Sequence, residues 1–154
     1  MGKSPLLKTL ASLVILVVII GTASSAAELN WTTITSLKDV RRMRTIHDTV
    51  FAATAGGLLV IADPTKPGAM FDNLSSLGAT DLTDIIDAAD GQKWVAAQGR
   101  LIRFGFEVSE RYPFLDQDGN SIRLLCLADD GNNLWVGTSI GLVLFSKVND
   151  GGQI

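Results

Sequence analysis

A phrase of eleven residues is written three times in this chain: Phe51-Ala-Ala-Thr-Ala-Gly-Gly-Leu-Leu-Val-Ile61, Trp94-Val-Ala-Ala-Gln-Gly-Arg-Leu-Ile-Arg-Phe104 and Trp135-Val-Gly-Thr-Ser-Ile-Gly-Leu-Val-Leu-Phe145. Each copy opens on a bulky aromatic, runs on as a strand of small residues, turns, and ends in a second apolar strand. The aromatics stand 43 and 41 residues apart. A repeat at that spacing signals supersecondary units that stack, because one such unit cannot bury its apolar surface alone. The architecture is therefore constrained before any single side chain is considered.

Each copy has an apolar lead-in of strand length: Val40 to Asp48, Leu82 to Gly91 and Ile122 to Gly131. Asp90-Gly91 and Asp130-Gly131 are hairpin signals, since glycine accepts the positive φ that tight hairpins need and aspartate tolerates it. The first lead-in ends at Asp48-Thr49, which predicts a different turn. Each unit then reads as an antiparallel meander of three strands. The intervening segments, Asp63 to Ala79 and Gly105 to Asn120, have room for a fourth, outer strand. Phe106 to Tyr112 has the partial alternation of such a strand, and Pro64, Pro67 and Gly68 mark an irregular link.

Ile122 to Ala128 is largely apolar on both faces, which predicts a strand buried on both sides. Four-stranded units of roughly 40–45 residues that bury both faces against neighbours describe β-propeller blades. Solenoid rungs are shorter, and a β-sandwich does not repeat its sequence. The expected fold is all-β: about three four-stranded antiparallel blades in a partial ring, with units at 40–80, 81–121 and 122–154. Phe51, Trp94 and Trp135 are expected to be equivalent blade-core anchors. Residues 31–37 form a candidate ring-closing strand. Closed propellers use about four to eight blades, so the remaining blades of a longer chain, or other subunits, are expected to complete the ring.

The third copy, Leu124-Leu-Cys-Leu-Ala-Asp-Asp-Gly-Asn-Asn-Leu-Trp-Val-Gly-Thr-Ser-Ile-Gly-Leu-Val-Leu-Phe145, resembles the two-component-regulator propeller repeat. That repeat joins an apolar strand to Asp-Gly-Asn-Leu-Trp, a Val-Gly-Thr strand, then Gly-Leu and an aromatic. The second copy departs at Ala96-Ala97 and at Gly99-Arg100. The first lacks the Asp-Gly turn but keeps Ala53-Thr54 and Gly57-Leu58. Trp31 to Arg42 is similar to the opening of exported bacterial propellers, including those associated with type IX secretion. The resemblance covers residues 31–148. It implies a periplasmic sensor segment or a surface scaffold, and is specific for architecture rather than for a ligand.

Residues 1–26 stand apart from the repeat. Lys3 and Lys8, an apolar run from Leu10 to Ile20, and the small residues up to Ala27 follow the order of a secretory signal peptide. The run is shorter than the roughly 18–20 residues of a spanning helix. Removing residues 1–26 leaves 11 basic against 16 acidic residues, a net charge of −5 on segment 27–154. Such a surface argues against nucleic-acid binding, which needs a clustered basic patch. Arg41, Arg42 and Arg44 read as a solvated strand face. The single cysteine, Cys126, excludes an internal disulfide and reads as a small buried hydrophobe.

Catalytic signatures are sparse. His47 is the only histidine, which leaves hydrolytic triads and zinc sites without support. Asp81, Asp84, Asp87 and Asp90 recur every third residue and do not converge by spacing alone. Asp116-Gln-Asp-Gly-Asn120 resembles half a calcium loop, but Leu127 stands where the bidentate glutamate belongs, so it reads as a turn. Asn30-Trp-Thr32 and Asn73-Leu-Ser75 match glycosylation sequons. Gly56-Gly57 lacks the lysine and helix of a phosphate loop. No catalytic, cofactor-binding or metal residue is assigned. The expected role is ligand sensing, of a small molecule or glycan, or protein–protein interaction through a non-catalytic, exported propeller segment at the N-terminus of a longer two-component-regulator-like protein. A secretion-associated scaffold is the alternative. A propeller lyase or glycan hydrolase would need acids or histidines converging from several blades.

Overall fold

The structure is a computed structural model in which residues 37–147 and the backbone of 151–153 are described; the expected signal peptide and residues 31–36 of the candidate closing strand lie outside them. Among the described residues, twelve strands form three antiparallel sheets. Sheet one holds β1 (Val40–Ile46), β2 (Thr49–Thr54), β3 (Gly57–Ile61) and β4 (Ala69–Phe71). Sheet two holds β5 (Leu82–Asp87), β6 (Lys93–Ala97), β7 (Arg100–Phe104) and β8 (Glu110–Pro113). Sheet three holds β9 (Leu124–Asp129), β10 (Asn133–Thr138), β11 (Gly141–Ser146) and β12 (Gly151–Gln153). Neighbouring sheets meet along their first strands, β1 beside β5 and β5 beside β9. The fold is all-β, three propeller blades of a partial ring, with no helix among the described residues.

Strand period and register explain why the sheets stack. Side chains alternate between faces, so cross-strand partners share one. Phe51 pairs with Arg44 and Val60, Trp94 with Ile86 and Arg103, Trp135 with Ala128 and Leu144. These rows define a forward face on each sheet. The rows Met43-Ala52-Leu59, Ile85-Val95-Ile102 and Leu127-Val136-Val143 define the rear faces. The forward face of sheet one packs Phe51, Ala53 and Leu58 on Ile85, Val95 and Ile102 of sheet two. The forward face of sheet two packs Trp94, Ala96 and Leu101 on Leu127, Val136 and Val143 of sheet three. An edge-on aromatic pair closes each interface at the same place: Phe71 on Phe104 and Tyr112 on Phe145, both at 5.0 Å between ring centres.

Polar latches repeat with the packing. Each first strand carries a bulge, which leaves Arg41, Thr83 and Leu125 as the extra residues. The bulged side chain reaches the next sheet: Arg41 donates to the Leu82 carbonyl at 3.3 Å, and Thr83 donates to the Leu124 carbonyl at 2.9 Å. Asp84, 1% exposed, lies one step further along β5. Its Oδ1 meets Arg42 Nε of sheet one at 3.1 Å, and its Oδ2 accepts the Leu127 N–H of sheet three at 2.9 Å. The aspartates spaced by three thus act between elements: Asp81 pairs with Arg41 at 2.7 Å, and Asp90 with Lys147 of sheet three at 3.7 Å.

Four local expectations are corrected. The outer strand of sheet two is Glu110–Pro113, not Phe106–Tyr112, because Gly105 to Ser109 closes a compact turn in which the Ser109 hydroxyl bonds both the N–H and the carbonyl of Gly105. The first hairpin turns at His47-Asp48, one residue earlier than expected, with Ile46 opposite Thr49. Cys126 and Leu125 are exposed, since among the described residues no sheet lies against the forward face of β9. Trp135 holds the anchor position but is 39% exposed, whereas Phe51 and Trp94 are buried. Glycine is required at the β2–β3 turn: Gly57 has φ +138°, and a Cβ there would lie 2.3 Å from the Phe71 carbonyl oxygen.

Asp84→Ala is expected to cost about 3 kcal/mol, since it leaves the buried Leu127 N–H without its acceptor and Arg42 without its partner. Trp94→Ala should cost roughly 3–5 kcal/mol through the cavity it opens between sheets two and three. Urea denaturation of each variant checks both.

Candidate functional site

The repeated residues are consumed by packing, so a site must lie where the copies differ. They differ at the end of the sheets where β1, β5 and β9 finish. Three hairpins, the link between β3 and β4, and the turn after β7 all emerge there. Thr45, Asp87 and Asp129 share one register position on the three first strands, each opposite the residue just before the anchor aromatic.

Two recesses open at this end. The first is a cleft of about 520 Å³ between sheets one and two. Ile46, Phe51, Val60 and Phe106 give it apolar walls, and His47, Asp63, Lys66 and Lys93 supply its polar groups. Lys93 Nζ lies 5.8 Å from the centre of the Phe51 ring, a cation–π arrangement across the interface, and 3.6 Å from Asp87. Phe106 is exposed and meets Phe71 and Phe104 edge-on. The second recess, about 420 Å³, lies where the three first strands converge and is lined by Arg44, Thr45, Asp87 and Asp129 among others.

The end face is braced between sheets two and three. Asp129 Oδ2 accepts the Ala89 N–H at 2.6 Å, and Asp129 Oδ1 meets Lys147 Nζ at the same distance. Burial pulls the Asp129 carboxyl upward, but the Lys147 ammonium and the Ala89 amide outweigh it, so the carboxyl sits below its ordinary range. The hairpin of sheet one is built differently. His47 and Asp48 both have positive φ, 46° and 61°, the geometry of a type I′ turn normally given to Asn-Gly. The other two hairpins place Gly91 and Gly131 in that conformation. Both side chains at this strained turn are exposed.

The residues weighed from sequence fall as follows. His47 is brought to the mouth of the first cleft, with Lys66 and Lys93. Asp116 is at the opposite end: its Oδ1 accepts the N–H groups of Asp118 and Asn120, and its Oδ2 accepts the Asn120 amide. Both oxygens are thus occupied in closing a turn. Among the described residues, no group of three His, Cys, Asp or Glu side chains is arranged to hold a metal. Arg44 was read in sequence as part of a solvated strand face, and Lys93, Asp129 and Lys147 were not singled out. Their register relative to the anchor aromatics was the available signal.

No family model and no curated protein sequence matches this chain. Solved structures of like fold do. The extracellular domain of BT4673 from B. thetaiotaomicron, described as a one component system, matches with TM-score 0.67 and 21% identity over 75% of this chain and 16% of that one. A second structure of the BT4673 domain, described as a hybrid two component system, gives 0.66 and 23% over the same shares. The extracellular domain of BT3049, also a hybrid two component system of B. thetaiotaomicron, gives 0.58 and 14%, covering 80% of this chain and 17% of that one. At these identities the likeness is one of fold, and this chain spans about one-sixth of each neighbour's length.

Because the Asp129 carboxyl is depressed, its contribution to stability is complete above the unfolded value near 3.8 and is lost as pH falls through the lower folded value. Asp129→Asn should therefore lower stability at pH 7 and flatten the acid-side decline, as read from urea midpoints across pH. Asp48→Gly should raise stability by about 1 kcal/mol by relieving the left-handed backbone, visible as a higher thermal midpoint.

Proposed function

We propose that this chain is an exported, non-catalytic β-propeller segment of the two-component-regulator type, which recognises a ligand or a protein through the end face where β1, β5 and β9 finish. One observation carries the reading: three sheets bring non-repeated charged and aromatic side chains to that face, where two recesses open; a further recess of about 540 Å³ lies at the opposite end, beside Asp116 and Asp118. The neighbours of like fold are extracellular domains of one- or two-component systems, which supports export and sensing. The non-catalytic reading rests on the chemistry of the face. Asp63, Asp87 and Asp129, the carboxylates that line its recesses, are tied to Lys66, Lys93 and Lys147, and a single histidine stands on an exposed turn. A scaffold role in secretion would use the same face for a protein partner.

The test is a thermal-shift screen of the purified chain against mono- and disaccharides and small organic acids. A true ligand should raise the midpoint of the parent protein. The shift should be lost in Arg44→Asp and in Lys66→Glu, and kept in Asp118→Asn at the opposite end. A shift that survives both end-face changes and vanishes in Asp118→Asn would sink the reading. Chemical turnover of the ligand would transfer it to the enzyme class.

A further inference from the structure

The cleft between sheets one and two departs from the next sheet boundary at two repeated positions. Its anchor is Phe51, where the next boundary has the larger indole of Trp94. Facing that anchor is Lys93, the residue before the anchor of sheet two; the residue before the anchor of sheet three is Leu134. A smaller ring and a charged neighbour thus stand where Trp94 and Leu134 are buried. Of the residues lining the cleft, three carry basic side chains, His47, Lys66 and Lys93, against one carboxylate, Asp63. That carboxylate is committed: its Oδ1 accepts the N–H and the hydroxyl of Thr65 at 2.9 and 2.7 Å, and its Oδ2 meets Lys66 Nζ at 3.1 Å. Lys93 is not committed. Its 3.6 Å separation from Asp87 is beyond a hydrogen bond. The three ammonium donors over the Phe51 ring therefore lack a hydrogen-bond acceptor among the described residues.

We propose that this cleft binds a small aromatic carboxylate, with the carboxylate on Lys93 and the ring against Phe106 and the apolar wall. The proposal rests on the end-face reading and narrows it to one recess and one ligand class. A volume of about 520 Å³ falls within the roughly 300–1,000 Å³ of small-molecule sites. A ligand carboxylate gives Lys93 the charge-assisted hydrogen bond that Asp87 is too distant to make. Lys66, exposed at the mouth, adds a second positive charge. Phe106 is 57% exposed yet held by edge-on contacts to Phe71 and Phe104. It therefore offers a ring to stack against that is already ordered before binding. Ile46, Phe51 and Val60 complete an apolar wall that a purely hydrophilic anion would leave unfilled. A neutral aromatic would leave Lys93 without an acceptor. Charge and ring are both required.

Titration of the purified chain with phenylacetate, followed through backbone amide resonances, tests it. Phenylacetate should bind saturably and shift the amides of His47, Thr49 and Lys93. Phenylacetamide, its neutral counterpart, should bind about tenfold more weakly, the loss of one charge-assisted hydrogen bond. Acetate, without the ring, should not saturate over the same range. Lys93→Met keeps an unbranched stem beside Phe51 and removes the charge. It should weaken phenylacetate about tenfold and leave phenylacetamide unchanged. Phe106→Ala, at an exposed position, should weaken both ring compounds with an unchanged circular dichroism spectrum, which keeps the test open should Lys93→Met unfold. No saturable binding of phenylacetate would overturn the proposal. So would equal affinity for phenylacetamide, or shifts centred on Asp116 and Asp118 at the opposite end. The end-face reading keeps its own readout in Arg44→Asp, since Arg44 lines the second recess and not this cleft.

Discussion

Everything in this molecule depends on the burial of one sheet face against the next. A strand of small residues behind a large aromatic gives each sheet a forward face with one protrusion and a flat floor. The following sheet answers with aliphatic side chains, Ile85, Val95 and Ile102 or Leu127, Val136 and Val143. Apolar area removed from water is worth about 25 cal/mol per Å², so these interfaces outweigh any individual hydrogen bond. The latches at Arg41, Thr83 and Asp84 add direction to this attraction: they fix which carbonyl lies opposite which bulge.

The core of this arrangement was legible in the sequence because packing is what repeats. The anchor spacing gave the sheets, and the alternation along the strands gave their faces. The outer strands were less legible. β4 and β8 are short and half exposed, so selection for burial leaves little pattern in them, and Phe106 to Tyr112 alternates without being a strand throughout. Cys126 shows the converse limit. Its neighbours give it a buried look, but burial depends on what faces it, which local sequence does not record.

The end face was harder still. Lys147 lies eighteen residues from Asp129 in the chain, and Lys93 meets Phe51 across a sheet boundary. Such pairs become neighbours only through stacking. The aspartates at 81, 84, 87 and 90 carried no convergence in their spacing, and the structure gives three of them partners on other sheets or on the link between them: Arg41, Arg42 with Leu127, and Lys147. His47 was visible as a turn residue, but the consecutive left-handed conformations of His47 and Asp48 were not, since neither residue advertises them as glycine does.

Asp84 has a consequence for how the molecule comes apart. In linear repeat proteins each unit contacts only its neighbours, and stability is a sum of local terms, so terminal repeats can fray alone. Here one carboxylate in the middle sheet binds the first sheet through Arg42 and the third through the Leu127 amide. Opening either outer sheet strands the same buried charge. The free energy of losing one blade therefore includes a term owned by the other two. Such sharing couples the three sequential repeats, so amide exchange in β5 is expected to follow global rather than local opening.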